Sequence, residues 1–230
     1  MSCSVSAPFL TVNPKSYLYG AKCLEFALAC DAISRETDLP IYFSCGYADI
    51  RLVSEATDRL IVCAQSMDVL APGRGMGKVL PESLYEAGAR AVFLNHAENP
   101  KTLSDLRACI ERAHEVGLIA IVCADSAVES CAVAEMGADI VVAEPTGLIG
   151  TGTTPDDRYI TETVEAIKRV APDAKVVIGA GVTTGEDCSR VISLGADATG
   201  GTSGILNAPS PVERVREMAD AVLSAYGKRL

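Results

Sequence analysis

Residues 137–145 read Gly137-Ala138-Asp139-Ile140-Val141-Val142-Ala143-Glu144-Pro145. Three signals stand in order there. A glycine suits the left-handed cap that closes a helix. The run Ile140–Val142 is short and apolar, as a buried strand is. A carboxylate before proline then opens a loop. The first two signals recur as Gly88-Ala89-Arg90 ahead of Ala91–Leu94 and as Gly195-Ala196-Asp197 ahead of Ala198–Thr199, and Gly117 plays the same part before Leu118. Each is a helix-to-strand turn.

Outward from these turns, further apolar runs lie at Phe9–Val12, Ile41–Ser44, Leu60–Cys63, Ile119–Cys123 and Val176–Ile178, which makes eight strand candidates. Helix-like segments lie between most of them, among them Lys22–Ile33, Leu103–Val116, Ile160–Val170 and Gly185–Leu194. Strand and helix in alternation imply parallel strands joined by crossover helices. Eight such units fill the 230 residues, so the expectation is an α/β chain folded as one (β/α)8 barrel domain over residues 1–230. An open doubly wound sheet is the competing arrangement. The first strand is followed by no G-x-G-x-x-G, which weakens its dinucleotide-binding version.

Composition narrows the function. The chain is 49% hydrophobic and only 5% aromatic, without tryptophan, which suits a parallel sheet buried on both faces. A net charge of −10 gives no general attraction to nucleic acid or to an anionic membrane. An anionic ligand would need local devices, such as one lysine or backbone amides at helix starts. The nine cysteines, at 3, 23, 30, 45, 63, 109, 123, 131 and 188, form no C-x-x-C pair. They read as buried reduced thiols, not as a disulfide framework or zinc site. Met1–Pro8 lacks the features of a secretory signal, and no apolar run approaches the roughly 20 residues that span a bilayer. A cytoplasmic location is expected.

In a barrel, the loops after the strands open on one face. Asn13-Pro14-Lys15 follows the first strand, Asn95-His96-Ala97-Glu98 the fourth, and Glu144 to Gly152 the sixth. Gly179-Ala180-Gly181 follows the seventh and Gly200 to Gly204 the eighth. Lysine, histidine and glutamate would thus meet at one mouth beside glycine-rich turns. Each alone has a plain reading: a solvated lysine, a capping histidine, a surface carboxylate. His114 lies late in a helix, where an imidazole bonds the last carbonyls.

These residues resemble triosephosphate isomerase, in its short archaeal form. The resemblance runs from Val12 to the end of the chain. It rests on Asn13-x-Lys15, on Phe93-Leu94-Asn95-His96-x-Glu98, and on Ala143-Glu144-Pro145 followed by Leu148-Ile149-Gly150-Thr151-Gly152. Ala64-Gln65, Val79-Leu80-Pro81 and Ser203-Gly204 add to it. It implies the TIM barrel and interconversion of dihydroxyacetone phosphate and D-glyceraldehyde 3-phosphate through an enediolate, without cofactor or metal. In that family's known mechanism a glutamate takes the proton and a neutral histidine polarises the carbonyl; the matching residues are Glu144 and His96. Lys15 would supply positive charge, and Asn13 would bind substrate and orient Lys15. Ile149, Gly150, Gly181, Thr202 and Ser203 would cradle the phosphate, with Pro145–Gly152 as a lid. A helix starting just after His96 would keep the imidazole neutral. The family is a homodimer or, in some archaea, a homotetramer, with the loop Gln65–Lys78 docking into the neighbour.

Four departures stand out. Ala97 replaces a small hydroxyl residue. Thr146-Gly147 replaces proline and glutamate at the lid's first hinge, which loosens it. Met76 replaces threonine in the docking loop. Gly200-Gly201 replaces aliphatic residues and Thr202 an alanine, which leaves room for another phosphate ester. Two alternatives follow: an isomerase of a longer sugar phosphate, and a barrel that binds a phosphorylated metabolite without turnover.

Overall fold

The computed structural model describes residues 5–229. Eight strands, β1 (Phe9–Val12), β2 (Ile41–Cys45), β3 (Leu60–Ala64), β4 (Ala91–Leu94), β5 (Ile119–Ala124), β6 (Ile140–Ala143), β7 (Lys175–Ile178) and β8 (Ala198–Gly201), pair in parallel with their sequence neighbours. β1 closes the ring on β8, with Phe9 opposite Ala198 and Thr11 opposite Gly200. The helices are α1 (Gly20–Thr37), α2 (Ile50–Ala56), α3 (Pro81–Glu86), α4 (Leu103–Val116), α5 (Ala127–Glu135), α6 (Asp157–Val170), α7 (Gly185–Ser193), α8 (Ser203–Leu206) and α9 (Pro211–Gly227). This is the (β/α)8 barrel, and it leaves no open sheet edge.

Alternate residues of each strand face opposite ways, so the barrel has two cores. Phe9, Tyr42, Phe93, Ile121, Val142 and Val177 fill the interior, with Ala91, Ala198 and Cys63 between the large side chains. Leu10, Phe43, Val92, Val122, Val141 and Ile178 point outward against the helices. Seven of the cysteines, 23, 30, 45, 63, 109, 123 and 188, are buried free thiols and Cys131 is half-buried. Cys3 lies outside the described residues.

Local chemistry sets the boundaries. Gly137 takes φ 101° and Ala138 N–H bonds back to the Val133 carbonyl, which ends α5 and turns the chain into β6. Ser126 and Thr184 start α5 and α7 with capping boxes closed by Glu129 and Asp187, each satisfying otherwise orphan amides. Several elements are longer than periodicity indicates. β6 runs on to Ala143 and β8 to Gly201, because ladder bonds continue past the apolar run. α1 begins at Gly20 and ends at Thr37, beyond its apolar stripe.

Two sequence expectations are corrected. His114 does not cap carbonyls; its Nε2 lies 2.9 Å from Asp139 Oδ2, in the turn before β6. Nor does Gly200 open extra room. A Cβ there would stand 1.9 Å from the Thr11 carbonyl oxygen, so the absent side chain is the space that lets β1 and β8 approach.

Candidate active site

At the C-terminal mouth, Asn13, Lys15, His96, Glu144, Ile149, Gly150, Gly181, Thr202 and Ser203 all line one cavity of about 180 Å³. Its floor is the top of the barrel interior: Thr11, Phe93, Cys123, Val142 and Val177. The loops that bring these residues together are each pinned by their own chemistry.

Lys15 has φ 47°, an uncommon conformation for a residue with a side chain. Asn13 Oδ1 accepts the Lys15 N–H at 2.9 Å and Gln65 Nε2 donates to the Lys15 carbonyl at 2.9 Å. The ammonium Nζ donates to Glu98 Oε1 at 2.6 Å. Lysine, asparagine and glutamate thus arrive from β1, β1 and β4, with β3 supplying the brace.

Asn95, also left-handed at φ 58°, spans the base of the next loop. Its Nδ2 donates to the Cys123 carbonyl and its Oδ1 accepts from Lys101 N–H, each at 3.0 Å. That sets His96, whose Nδ1 accepts the Glu98 N–H at 3.1 Å. A ring nitrogen that accepts a bond is unprotonated, so the neutral ring carries its proton on Nε2. Burial and the nearby Lys15 charge both push the imidazole below its ordinary pKa. The expected helix terminus is not the cause: α4 starts only at Leu103, capped by the Thr102 side chain. The donor is an amide of the turn after β4.

Glu144 follows β6 at the opposite wall. Its Oε2 stands 3.7 Å from His96 Nε2, too far for a hydrogen bond. Burial raises the carboxyl above its ordinary pKa, partly offset by Lys15. Beyond it, Thr146–Leu148 forms a single 3₁₀ turn, and Ile149 and Gly150 reach the cavity rim. The Thr146-Gly147 hinge is not free: Thr146 N–H donates to Asp125 Oδ1. Among the described residues the amides of Gly150, Gly181 and Ser203 have no protein acceptor, so the rim presents three open donors. Thr202 Oγ1, in contrast, donates to the Asn13 carbonyl at 2.6 Å, which joins β8 to β1.

Sequence reasoning assigned no role to Glu98 or Asp125, and placed Gln65 only in the docking loop, not at Lys15. Glu98 and Gln65 sat inside quoted motifs, but a contact to Lys15 across 83 or 50 positions has no local signal. Among the described residues, no group of three or more His, Cys, Asp or Glu side chains is arranged to hold a metal ion, and no helix is long and apolar enough to cross a membrane.

A base-type carboxylate, a neutral imidazole and a fixed ammonium around a small cavity suit proton transfer beside a carbonyl. Comparison with known proteins agrees. The sequence model of the family described as triosephosphate isomerase matches residues 8–213. A protein named triosephosphate isomerase from Methanothermobacter thermautotrophicus is 33% identical over 220 residues, covering 94% of this chain and 96% of its own. Those from Methanosarcina barkeri and Methanopyrus kandleri are 34% and 36% identical, covering 92% of this chain and 97% and 96% of their own. A match that extends from just ahead of β1 into α9 takes in every loop of this mouth, and by it the chain belongs to the triosephosphate isomerase family.

Proposed function

We propose that the chain interconverts dihydroxyacetone phosphate and D-glyceraldehyde 3-phosphate, with Glu144 as the base and His96 as the electrophile. The observation that carries the reading is the pair itself. Glu144 Oε2 and the Nε2 of His96 face each other at 3.7 Å across the cavity wall, one raised in pKa and the other lowered.

The carboxylate removes the proton from the carbon next to the carbonyl, and the Nε2–H of His96 bonds the oxygen on which charge develops. A raised pKa makes Glu144 a stronger base once ionised, and a lowered pKa keeps His96 a neutral donor at pH 7. Lys15, whose ammonium donates to Glu98, adds positive charge at the same cavity. The proton returns to the neighbouring carbon while His96 gives its Nε2 proton to one oxygen and takes back the hydroxyl proton from the other, completing the isomerisation. The open amides of Gly150, Gly181 and Ser203 receive the phosphate, and Thr202 supports them from the side. Closure of Pro145–Gly152 excludes water from the enediolate.

A coupled assay with D-glyceraldehyde 3-phosphate tests the reading. Turnover by the parent chain and its loss in Glu144→Gln are expected; an active Glu144→Gln variant removes the role given to the base.

The same reading extends to the whole chain as one barrel domain, acting in the cytoplasm as a homodimer or homotetramer. Its support is the loop Gln65–Lys78. Met76 at its tip is fully exposed, while Gln65 at its root braces Lys15. Sedimentation as a monomer at micromolar concentration would contradict the oligomer.

A further inference from the structure

The end of β5 and the first residues after β6 run side by side beyond the sheet. Glu144 N–H donates to the Ala124 carbonyl at 2.9 Å, the last bond of that ladder. In a parallel pair the next donor on the same side lies two residues on, at Thr146. The carbonyl it would need belongs to Ser126, which already caps α5 and accepts the Ser130 N–H at 2.8 Å. Asp125 takes its place. Its Oδ1 accepts the Thr146 N–H, continuing the ladder with a side chain. Pro145 between the two donors has no N–H and a fixed φ, so both amides available between 144 and 146 are tied to the end of β5. Asp125 is held in turn, since its own amide and that of Ser126 donate to Glu129 Oε2 at 3.0 and 3.1 Å. The bonds from Thr146 draw the Asp125 carboxyl below its ordinary pKa, as expected of a carboxylate serving as an acceptor.

Behind this contact lies a second cavity of about 230 Å³, lined by Asn95, Ala97, Asp125, Glu129, Glu144 and Thr146 among others. Glu144 therefore forms a wall between two spaces, the substrate cavity and this one. Asp125 and Glu129 make the second space acidic, and a carboxylate turned into it would meet like charge. The amides of Glu144 and Thr146, on either side of Pro145, are both bonded to the end of β5, at Ala124 and Asp125.

We propose that Asp125 is a positioning residue for the isomerisation: by holding the Thr146 amide it keeps Glu144 facing the substrate cavity and gives the lid a fixed point ahead of Gly147. Asp125 lines no part of the substrate cavity, so its effect reaches the chemistry only through the chain. The proposal rests on the isomerase reading above, whereas the hinge contact does not.

The test compares Asp125→Ala with Asp125→Asn, which keeps an acceptor oxygen. In Asp125→Ala, kcat is expected to fall about tenfold with KM little changed, less than the roughly 10²-fold that a full 1 Å misplacement costs. The share of turnovers that end in release of inorganic phosphate should rise, because a badly seated lid exposes the enediolate to water. Asp125→Asn should recover most of kcat and most of the product fidelity. Equal kcat and equal phosphate release in Asp125→Ala and parent would overturn the proposal, as would an asparagine variant no better than alanine. Amide hydrogen exchange at Thr146 gives a readout that needs no activity. It should quicken in Asp125→Ala, and unchanged exchange sinks the proposal. A parent chain without isomerase activity removes the reading of the reaction instead, and the exchange result still decides the contact.

Discussion

The N-terminal end of the barrel and the one base at its mouth use the same functional group in opposite ways. At the N-terminal end, carboxylates are saturated with donors. Asp31 Oδ1 accepts the amides of Asp58, Arg59 and Leu60 at 3.1, 2.7 and 3.2 Å, which fixes the entry to β3. Asp197 Oδ2 accepts Val176 N–H at 2.9 Å and pairs with Lys168 Nζ at 2.7 Å; Asp139 Oδ2 accepts Ala120 N–H at 2.7 Å. Asp139 and Asp197 each tie one strand start to the strand before it, and Asp31 ties α1 to the start of β3. At the mouth, half-buried Glu144 has no protein hydrogen-bond donor at its carboxylate, and burial raises its pKa. A satisfied carboxylate holds a fold together. An unsatisfied one is destabilising when ionised, and that same property makes it basic.

Glu144→Gln breaks the comparison most severely. Removing a general base is expected to lower kcat/KM by about 10²–10⁴-fold, measured on glyceraldehyde 3-phosphate. Stability should move the other way. The folded-state pKa of Glu144 lies above its unfolded value, so the native state binds the proton more readily. Its destabilising effect is absent at acid pH, grows as pH rises through the unfolded pKa, and is complete above the folded one. The glutamine variant, which has no proton to lose, should therefore match the parent in acid and unfold at higher denaturant near pH 7. A variant less stable than the parent at pH 7 would mean that the carboxylate is satisfied after all.

Asp31→Ala sharpens the other side. It strips acceptors from three amides at the start of β3, two of which lie just ahead of the strand. Such a loss is expected to cost about 3 kcal/mol, read from the urea midpoint at constant slope. The turnover number of the folded fraction should stay at the parent value, since Asp31 lies at the end of the barrel away from the cavity. A parent-like midpoint would show that water replaces the carboxylate without cost.

This division explains what the sequence revealed and what it hid. The Gly-Ala-Asp turns were legible because a helix cap and a strand start are local events, and they fixed the strand count and direction. Lys15, His96 and Glu144 were legible because position after a strand already places a residue at the mouth. The bonds that seat them were not. Glu98 reaches Lys15, Gln65 reaches the Lys15 carbonyl, and Asp125 reaches Thr146 across loops that are close only once the barrel closes. Gly200 misled for the same reason. A missing side chain in a sequence reads as vacancy, but here the Thr11 backbone occupies it.

The two histidines carry the comparison down to its smallest effect. His96 at the mouth is pushed below its ordinary pKa by burial and Lys15, and His114 near the opposite end is raised by its bond to Asp139. Proton NMR should show two imidazole titrations on opposite sides of the ordinary imidazole value of about 6.5, His96 below and His114 above. Their contributions to stability also run in opposite directions. For His96 the unfolded chain binds more protons, so stability falls as pH drops through the unfolded pKa. For His114 the native state binds more, so its contribution is present below the unfolded pKa and is lost as pH rises through the folded one. The His114 side chain is 40% exposed and Asp139 14%, and solvent screening limits the pair to about 0.5 kcal/mol. Asp139→Asn should lower the His114 titration and flatten that part of the stability profile, while leaving the His96 titration where it was. Movement of both resonances together would mean that the two ends of the barrel are electrostatically coupled, and the separation of the satisfied N-terminal carboxylates from the base at the mouth would fail.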